Sequence, residues 1–113
     1  MALEELKLLT KLEELDQYTH QVLLQYPKYE KFVLAAQIRQ TLAELIHHAI
    51  RCGKKFHKKT SLQDMDIEVE YLRSLIRKSH VLGYINIHRY EVWISHVNEI
   101  GKMVGGWMKA AKQ

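Results

Sequence analysis

Very little in this chain interrupts a helix, because its 113 residues contain only one proline, Pro27, and five glycines. Proline lacks a backbone N–H and clashes with the preceding helical turn, and glycine inside a helix costs backbone entropy. Leucine, glutamate, lysine and alanine, which all favour helices, occur throughout, and no segment has the pattern of a strand. The sequence therefore predicts an all-α protein built from long helices.

Apolar residues recur at intervals of three and four, which places them on one face of each helix. This spacing predicts helix one over about 3–26, ended by Pro27, and helix two over about 29–52, ended by Gly53 in the left-handed conformation. The predicted core positions of helices one and two are Leu8, Leu12, Leu15, Thr19, Val22, Tyr26, Leu34, Ile38, Leu42, Leu45, Ile46 and Ala49.

The second half of the chain repeats this organisation. Ser61 is expected to cap helix three, with Asp64 near the positive end of the helix, and Gly83 is expected to end it. Asn86 is expected to open helix four. The predicted core positions are Met65, Val69, Leu72, Ile76 and, as a further candidate, Ser79 on helix three, then Tyr90, Trp93 or Ile94, Val97, Ile100 or Gly101, Val104, and Trp107 or Met108 on helix four.

Short connections at Pro27 and Gly83 favour antiparallel neighbours, so we predict an up-down-up-down antiparallel four-helix bundle. Length and a hydrophobic content of 47% fit one domain over residues 1–113. The single cysteine, Cys52, excludes an internal disulfide and suits a reducing compartment. No apolar run approaches the roughly 20 residues of a membrane span, and the acidic N-terminus is not typical of a signal peptide. We expect a soluble cytoplasmic protein that does not bind membranes.

Positive charge is concentrated in one part of the chain. Residues 28–59 hold eight Lys and Arg against two Glu, a net charge of +6, whereas residues 1–27 have a net charge of −3. The stretch 51–60, "RCGKKFHKKT", contains five bases and no acid. Five like charges repel one another, and this favours a role in binding a polyanion or an acidic partner over a merely solvated face. The five bases are Arg51, Lys54, Lys55, Lys58 and Lys59.

The contacts of these bases are expected to be with phosphates rather than with base edges. Phe56 is the one aromatic residue near the basic stretch, which is too few for sequence-specific stacking. We predict that charge reversal of Lys54, Lys55, Lys58 and Lys59 leaves the helices intact and abolishes polyanion binding.

A second basic face is predicted on helix three. Arg73, Arg77 and His80 follow one another at i, i+4 and i+7 and therefore share one side of the helix. Asp66 and Glu70 lie within reach of Arg73, so that part of the face is explained as well by exposed ion pairs.

The chain offers little for catalysis or metal binding. It has no recognisable nucleophile motif and no glycine-rich phosphate loop. His48 and Cys52 are four residues apart and His57 follows, but a metal site needs three or four converging ligands, and no complete set is visible. We therefore predict no metal, no cofactor and no catalytic residue. The Gly-x-x-x-Gly of Gly101 and Gly105 is expected to allow the close approach of a neighbouring helix or subunit.

Three stretches together resemble the accessory variability determinant (Avd) family of diversity-generating retroelements. They are "QYPKYEKFVLAAQIRQTLAELI" at 25–46, "DIEVEYLRSLIRKSHVLGYINIHRYE" at 66–91 and "VNEIGKMVGGWMK" at 97–109. Proteins encoded in intervening sequences of bacterial ribosomal RNA genes have a similar start to helix two, but there it continues as S-I-x-x-N-I-A-E-G. Here the chain has "AELIHHAIRCG", which favours the Avd resemblance.

The resemblance implies a non-catalytic, bacterial or phage-encoded four-helix bundle that assembles as a basic homopentamer. Such proteins bind the reverse transcriptase of the element and its template RNA or cDNA, and they are needed for mutagenic copying. By this analogy the oligomer packs through Gly101, Gly105 and Trp107. The nucleic-acid or partner contacts expected by the same analogy are Arg39, Arg51, Lys54, Lys55, Lys58, Lys59, Arg73, Arg77 and Arg89.

Two other functions remain open at this point. One is an interaction protein of the ribosomal intervening-sequence type, whose basic end docks an acidic partner or RNA. The other, an RNA-processing or metal-dependent enzyme, is disfavoured because the carboxylate and histidine sets are missing.

Overall fold

The computed structural model describes residues 3–111, and these form an all-α four-helix bundle, as predicted. The helices are α1 (Leu3–Leu23), α2 (Leu34–Lys54), α3 (Lys59–Val81) and α4 (Ile87–Ala111), with a short 3-10 helix at Lys28–Glu30. Each helix packs against the next along the chain, and α4 returns to pack against α1. The bundle measures 44 × 23 × 20 Å.

Up-down connectivity gives the bundle two distinct ends. The linker end holds the start of α1, the α2–α3 connection and the end of α4, within residues 3–6, 54–59 and 107–111. The turn end holds the α1–α2 and α3–α4 connections, within residues 20–39 and 77–90. This division separates all the predicted basic residues except Arg73 into two groups.

The predicted stripes form the core, except that Ile46 and Tyr90 are only half-buried at its edge. Leu8, Leu12, Ile38 and Leu72 are among the side chains with no exposed surface, and Ser79 is buried with them. On α4 the buried positions are Trp93, Val97, Ile100 and Val104, whereas Trp107 and Met108 both pack at the edge of the core. Burial thus selects Trp93 over Ile94 and Ile100 over Gly101, whereas Trp107 and Met108 share the last position.

Trp93 is the largest fully buried side chain, and its indole N–H has a partner. The Nε1–H of Trp93 donates a hydrogen bond of 2.9 Å to Oγ1 of buried Thr19, which joins α4 to α1. Thr19 is therefore the acceptor that the core needs at this position. Without it, the buried N–H of Trp93 would be left without an acceptor, which costs about 1–3 kcal/mol.

The predicted boundaries around Pro27 were wrong by several residues. Helix α1 ends at Leu23 rather than Tyr26, and α2 begins at Leu34 rather than Tyr29. The residue before a proline is sterically driven out of the α region, so the helix unwinds before Pro27. Glu30 then helps α2 to start, because its Oε1 accepts a hydrogen bond of 3.3 Å from the N–H of Leu34.

The predicted caps at the linker end were also wrong. Helix α2 continues through Gly53 to Lys54, and Gly53 does not adopt a positive φ. Helix α3 begins at Lys59, and Ser61 lies buried in its first turn, where its Oγ finds no partner among the described residues. That first turn contains no acid, so Asp64 lies too far along to stabilise the helix start. The residue that closes this connection is Lys58, as described below.

The two signals at the turn end are confirmed. Gly83 has a φ of +80°. Its N–H donates a hydrogen bond to the carbonyl of His80, and the N–H of Tyr84 donates one to the carbonyl of Ser79, both at 3.0 Å. This is the Schellman arrangement, which favours glycine at the left-handed position. Asn86 opens α4, because its Oδ1 accepts a hydrogen bond of 2.8 Å from the N–H of Arg89.

Candidate nucleic-acid interface

The basic stretch 51–60 is mostly helical, since only residues 55–58 lie between α2 and α3. Four of its bases have exposed side chains at the linker end and make no ion pair with any residue in 3–111. We call these four residues the basic cluster: Arg51, Lys54, Lys55 and Lys59.

Lys58 differs from its neighbours because the folded structure uses its charge. Its ammonium lies 2.7 Å from Oε1 of Glu5, a carboxylate on α1 that is only 8% exposed. The same Nζ donates hydrogen bonds to the carbonyls of Cys52 and Lys55, at 2.5 and 3.1 Å. Lys58 thus satisfies carbonyls at the end of α2, which explains why no left-handed glycine is needed there.

Nothing in the local sequence indicates the pairing between Lys58 and Glu5. The stretch 51–60 contains no acid, but folding brings Glu5 to it from the first turn of α1. Lys58 therefore stands apart from the basic cluster, although the sequence placed it among the phosphate contacts. The assignment of Glu5 needs the topology of the bundle and could not come from local spacing.

Helix dipoles do not account for the whole basic cluster. Cations are favourable in the last turn of α2, where Arg51 and Lys54 lie, because the carbonyl end of a helix is negative. Lys59, at the start of α3, faces the positive end of a helix, where a cation costs about 0.3–1 kcal/mol. The cluster therefore holds charge that does not stabilise its own helix start.

The structure does not bring the remaining predicted contacts to the same place. Arg39, Arg77 and Arg89 lie at the turn end. Arg39 and Arg51 are both on α2, and twelve residues of helix separate them by about 18 Å. Five of the nine predicted residues thus lie at or near the linker end and three at the turn end, while Arg73 lies between the two ends on α3. The nine residues therefore do not form one continuous site.

Three of these arginines also have partners within the chain. Arg73 donates to Glu70 at 2.9 Å, the pairing that the sequence predicted, and to Oδ1 of Asn98 at 3.0 Å. Arg89 lies over the ring of Tyr18, with 5.8 Å between the guanidinium carbon and the ring centroid. Nη1 of Arg39 lies 3.3 Å from Nδ1 of His20. Arg77 is exposed and makes no ion pair with a described residue.

The model of the bAvd-like family matches residues 6–111, which is nearly the whole chain. The chain belongs to the bAvd-like family. This confirms the resemblance on which the Avd expectation was based. A search of curated proteins finds no significant match.

The Gly-x-x-x-Gly segment of this bAvd-like chain has two different environments. A Cβ on Gly101 would lie 2.5 Å from Nη2 of Arg73 and 3.6 Å from Cγ1 of Val69, so Gly101 makes room for the guanidinium of Arg73. Trp107 is half-buried against the core. A Cβ on Gly105 would meet nothing within 4 Å. Contacts within the chain therefore account for Gly101 and Trp107, and of the three predicted oligomer residues Gly105 is the one that leaves open space.

Gly105→Ala tests whether that open space is filled by another subunit. Alanine is favoured over glycine in a helix by about 1 kcal/mol, and the new methyl group meets nothing within the chain. We expect the variant to raise the free energy of unfolding by about 0.5–1 kcal/mol in urea titrations of dilute protein. A fall in stability, together with a smaller particle by light scattering, would place Gly105 in a subunit interface.

Among the side chains in this region that could act as nucleophiles or metal ligands are Cys52 and His48. Cys52 is fully buried, and burial raises the pKa of its thiol, which opposes formation of the reactive thiolate. Nε2 of His48 lies 3.9 Å from Oε2 of Glu44. Within residues 3–111, no three His, Cys, Asp or Glu side chains are grouped to hold a metal ion. None of the described helices is long and apolar enough to cross a bilayer.

Proposed function

We propose that this bAvd-like protein is a non-catalytic accessory factor of a diversity-generating retroelement. In this proposal it binds the reverse transcriptase and its template RNA or cDNA, and it is needed for mutagenic reverse transcription and retrohoming. The single observation that supports binding is the basic cluster, four exposed cations without a carboxylate partner in the described residues, on a chain of this family.

Phosphate groups suit the basic cluster better than base edges do. Its cations are three flexible lysines and one arginine, which neutralise phosphates and release bound counterions without reading sequence. The nearest aromatic residue, Phe56, is 92% exposed, but one ring gives little base selectivity. The contact we propose is therefore strong, salt-dependent and largely independent of sequence.

A homopentamer, located in the cytoplasm of the bacterial host, is part of the same proposal. Several copies of the cluster on one assembly would engage one RNA simultaneously. The second contact then becomes intramolecular, and avidity exceeds the affinity of a single cluster. The chain itself is assigned no chemistry, because its sequence contains no recognisable nucleophile or phosphate-loop motif.

Reconstitution with the reverse transcriptase and template RNA of the same element tests this function. We expect the transcriptase to co-elute with the protein in gel filtration, and we expect synthesis of substituted cDNA to require the protein. The measurements are cDNA yield and substitution frequency with and without the protein. Transcriptase that neither co-elutes nor changes its products would contradict the proposal and favour an interaction protein of the ribosomal intervening-sequence type.

A further inference from the structure

A groove at the turn end contains apolar surface that the bundle leaves exposed. It lies between the end of α1 and the start of α2 and has a volume of about 530 Å³. Leu23, Tyr26 and Ala35 form part of its buried floor, whereas Leu24 is 63% and Phe32 83% exposed. Two large apolar side chains at this exposure contribute little to the stability of the bundle.

The backbone that carries these side chains is held in place. Tyr84, from the α3–α4 connection, donates a hydrogen bond of 2.7 Å to Oε2 of Glu30, and its hydroxyl lies 3.2 Å from that of Tyr29. The hydrogen bond to Glu30 raises the pKa of Tyr84, so the phenol stays protonated and remains a donor. Tyr26 packs against Tyr84 with 5.3 Å between ring centroids, and burial raises the pKa of Tyr26 to about 12. The groove is therefore largely preformed.

The charge around the groove is of one sign. Lys28, Lys31 and Arg39 line it together with His20, and its lining contains no acid. Phe32 also borders a second groove, between α2 and α3, whose charged lining residues are the acids Glu44 and Glu68. The two sides of Phe32 thus differ in charge, and only the α1–α2 side combines an apolar floor with basic edges.

We propose that the α1–α2 groove docks an acidic amphipathic helix of a partner protein. The apolar face of that helix covers Leu24 and Phe32, and its carboxylates meet Lys28, Lys31 and Arg39. A groove between two helices with an apolar floor suits a helix, which inserts side chains at i, i+3, i+4 and i+7. This inference deepens the proposed function by naming the chemistry of the partner segment, and it rests on that function only for the existence of a protein partner.

Single-stranded nucleic acid fits the same groove less well. Base stacking needs free aromatic faces. Of the seven apolar side chains that line the groove, five are leucine, alanine or proline, and the ring of Tyr26 is buried against Tyr84. Its most exposed ring, Phe32, already has the ammonium of Lys31 at 5.5 Å from its centroid. The floor of the groove therefore favours aliphatic side chains of a partner, and the basic residues at its edges favour carboxylates of the same partner.

The test uses synthetic peptides and the complete chain. The probe is a fluorescein-labelled helix of three to four turns, made of Leu, Glu and Ala, with leucine at i, i+3, i+4 and i+7. A second peptide has the same composition with leucine distributed around the helix, and a third has lysine in place of glutamate. We expect fluorescence anisotropy to show saturable binding of the first peptide only.

Matched variants locate the binding. Phe32→Ser and the double variant Lys28→Glu, Lys31→Glu are each expected to weaken peptide binding by about tenfold or more. Phe56→Ser removes a similarly exposed ring at the linker end and should leave peptide binding unchanged. RNA binding by the Phe32→Ser variant should be unchanged, so that failure of this inference and failure of the proposed function are separate results.

Three outcomes would overturn the inference. Equal binding of the peptide with scattered leucine would show nonspecific attraction of acids. Displacement of the probe by an unlabelled oligothymidylate would assign the groove to nucleic acid. Dissociation of the protein into smaller particles as the peptide binds, seen by light scattering, would show that a second copy of the chain occupies the groove.

Discussion

Reversing the charge of three basic-cluster lysines, Lys54→Glu, Lys55→Glu and Lys59→Glu, is expected to weaken RNA binding by about 100-fold or more near physiological salt. Each phosphate contact contributes about 0.7–0.9 to the slope of log affinity against log salt. Loss of three contacts should therefore reduce the magnitude of that slope by about 2–3 for each protein chain. The three side chains are exposed and pair with no described acid, so the fold should be unaffected.

The measurement is fluorescence anisotropy of a labelled structured RNA between about 50 and 200 mM salt, with helicity followed by circular dichroism. The matched control is the triple variant Lys28→Glu, Lys31→Glu and Lys78→Glu, which changes the net charge by the same amount with exposed lysines at the turn end. We expect this control to keep most of its affinity and nearly all of its salt slope.

Equal losses in the two triple variants would show that net charge, rather than the basic cluster, determines RNA binding. Unchanged binding in the cluster variant would remove the linker end from the proposed interface. Arg39, Arg77 and Arg89, at the turn end, would then be the next residues to reverse.

Local sequence signals predicted the bundle well where the local chain determines the structure. The spacing of leucines located the core, and Gly83 and Asn86 located the α3–α4 connection, because a left-handed glycine and an N-terminal asparagine act within one helical turn. The prediction that Gly53 ends α2 in the left-handed conformation used the same kind of local signal and was wrong. A glycine near a helix end is a local signal, but here the side chain of Lys58 already satisfies the last carbonyls of α2.

The candidate site was harder to predict, because folding decides which basic side chains pair with an acid and which stay exposed. Lys58 and Lys59 are adjacent and alike in sequence, yet the first pairs with Glu5 and the second is exposed. The groove containing Phe32 was missed because its parts come from two helices and the turn between them. The available signal was that Phe32 and Leu24 fall outside the apolar stripes, which leaves them without a role in the core.

Lys58→Glu is expected to destabilise the fold by about 3 kcal/mol, which lowers the melting temperature by about 10 °C or more. The change places a second carboxylate against Glu5, which is 8% exposed, and removes a donor from the carbonyls of Cys52 and Lys55. Breaking a fully buried ion pair costs about 3–5 kcal/mol, and the partial exposure of Lys58 reduces that cost. The new glutamate at the start of α3 interacts favourably with the helix dipole, but this offsets only about 0.3–1 kcal/mol of the lost stability.

Lys59→Glu is the matched control, because it makes the same change one residue later at an exposed position. Its free energy of unfolding in urea should not fall below that of the parent and should rise by about 0.5–1 kcal/mol, because an acid replaces a cation at the positive end of α3. The double variant Glu5→Lys, Lys58→Glu should recover part of the loss by restoring opposite charges. If Lys58→Glu and Lys59→Glu were equally stable, the pair with Glu5 would contribute nothing to folding. Lys58 would then be added to the basic cluster as a fifth phosphate contact, and the charge reversal tested for RNA binding would have to include it.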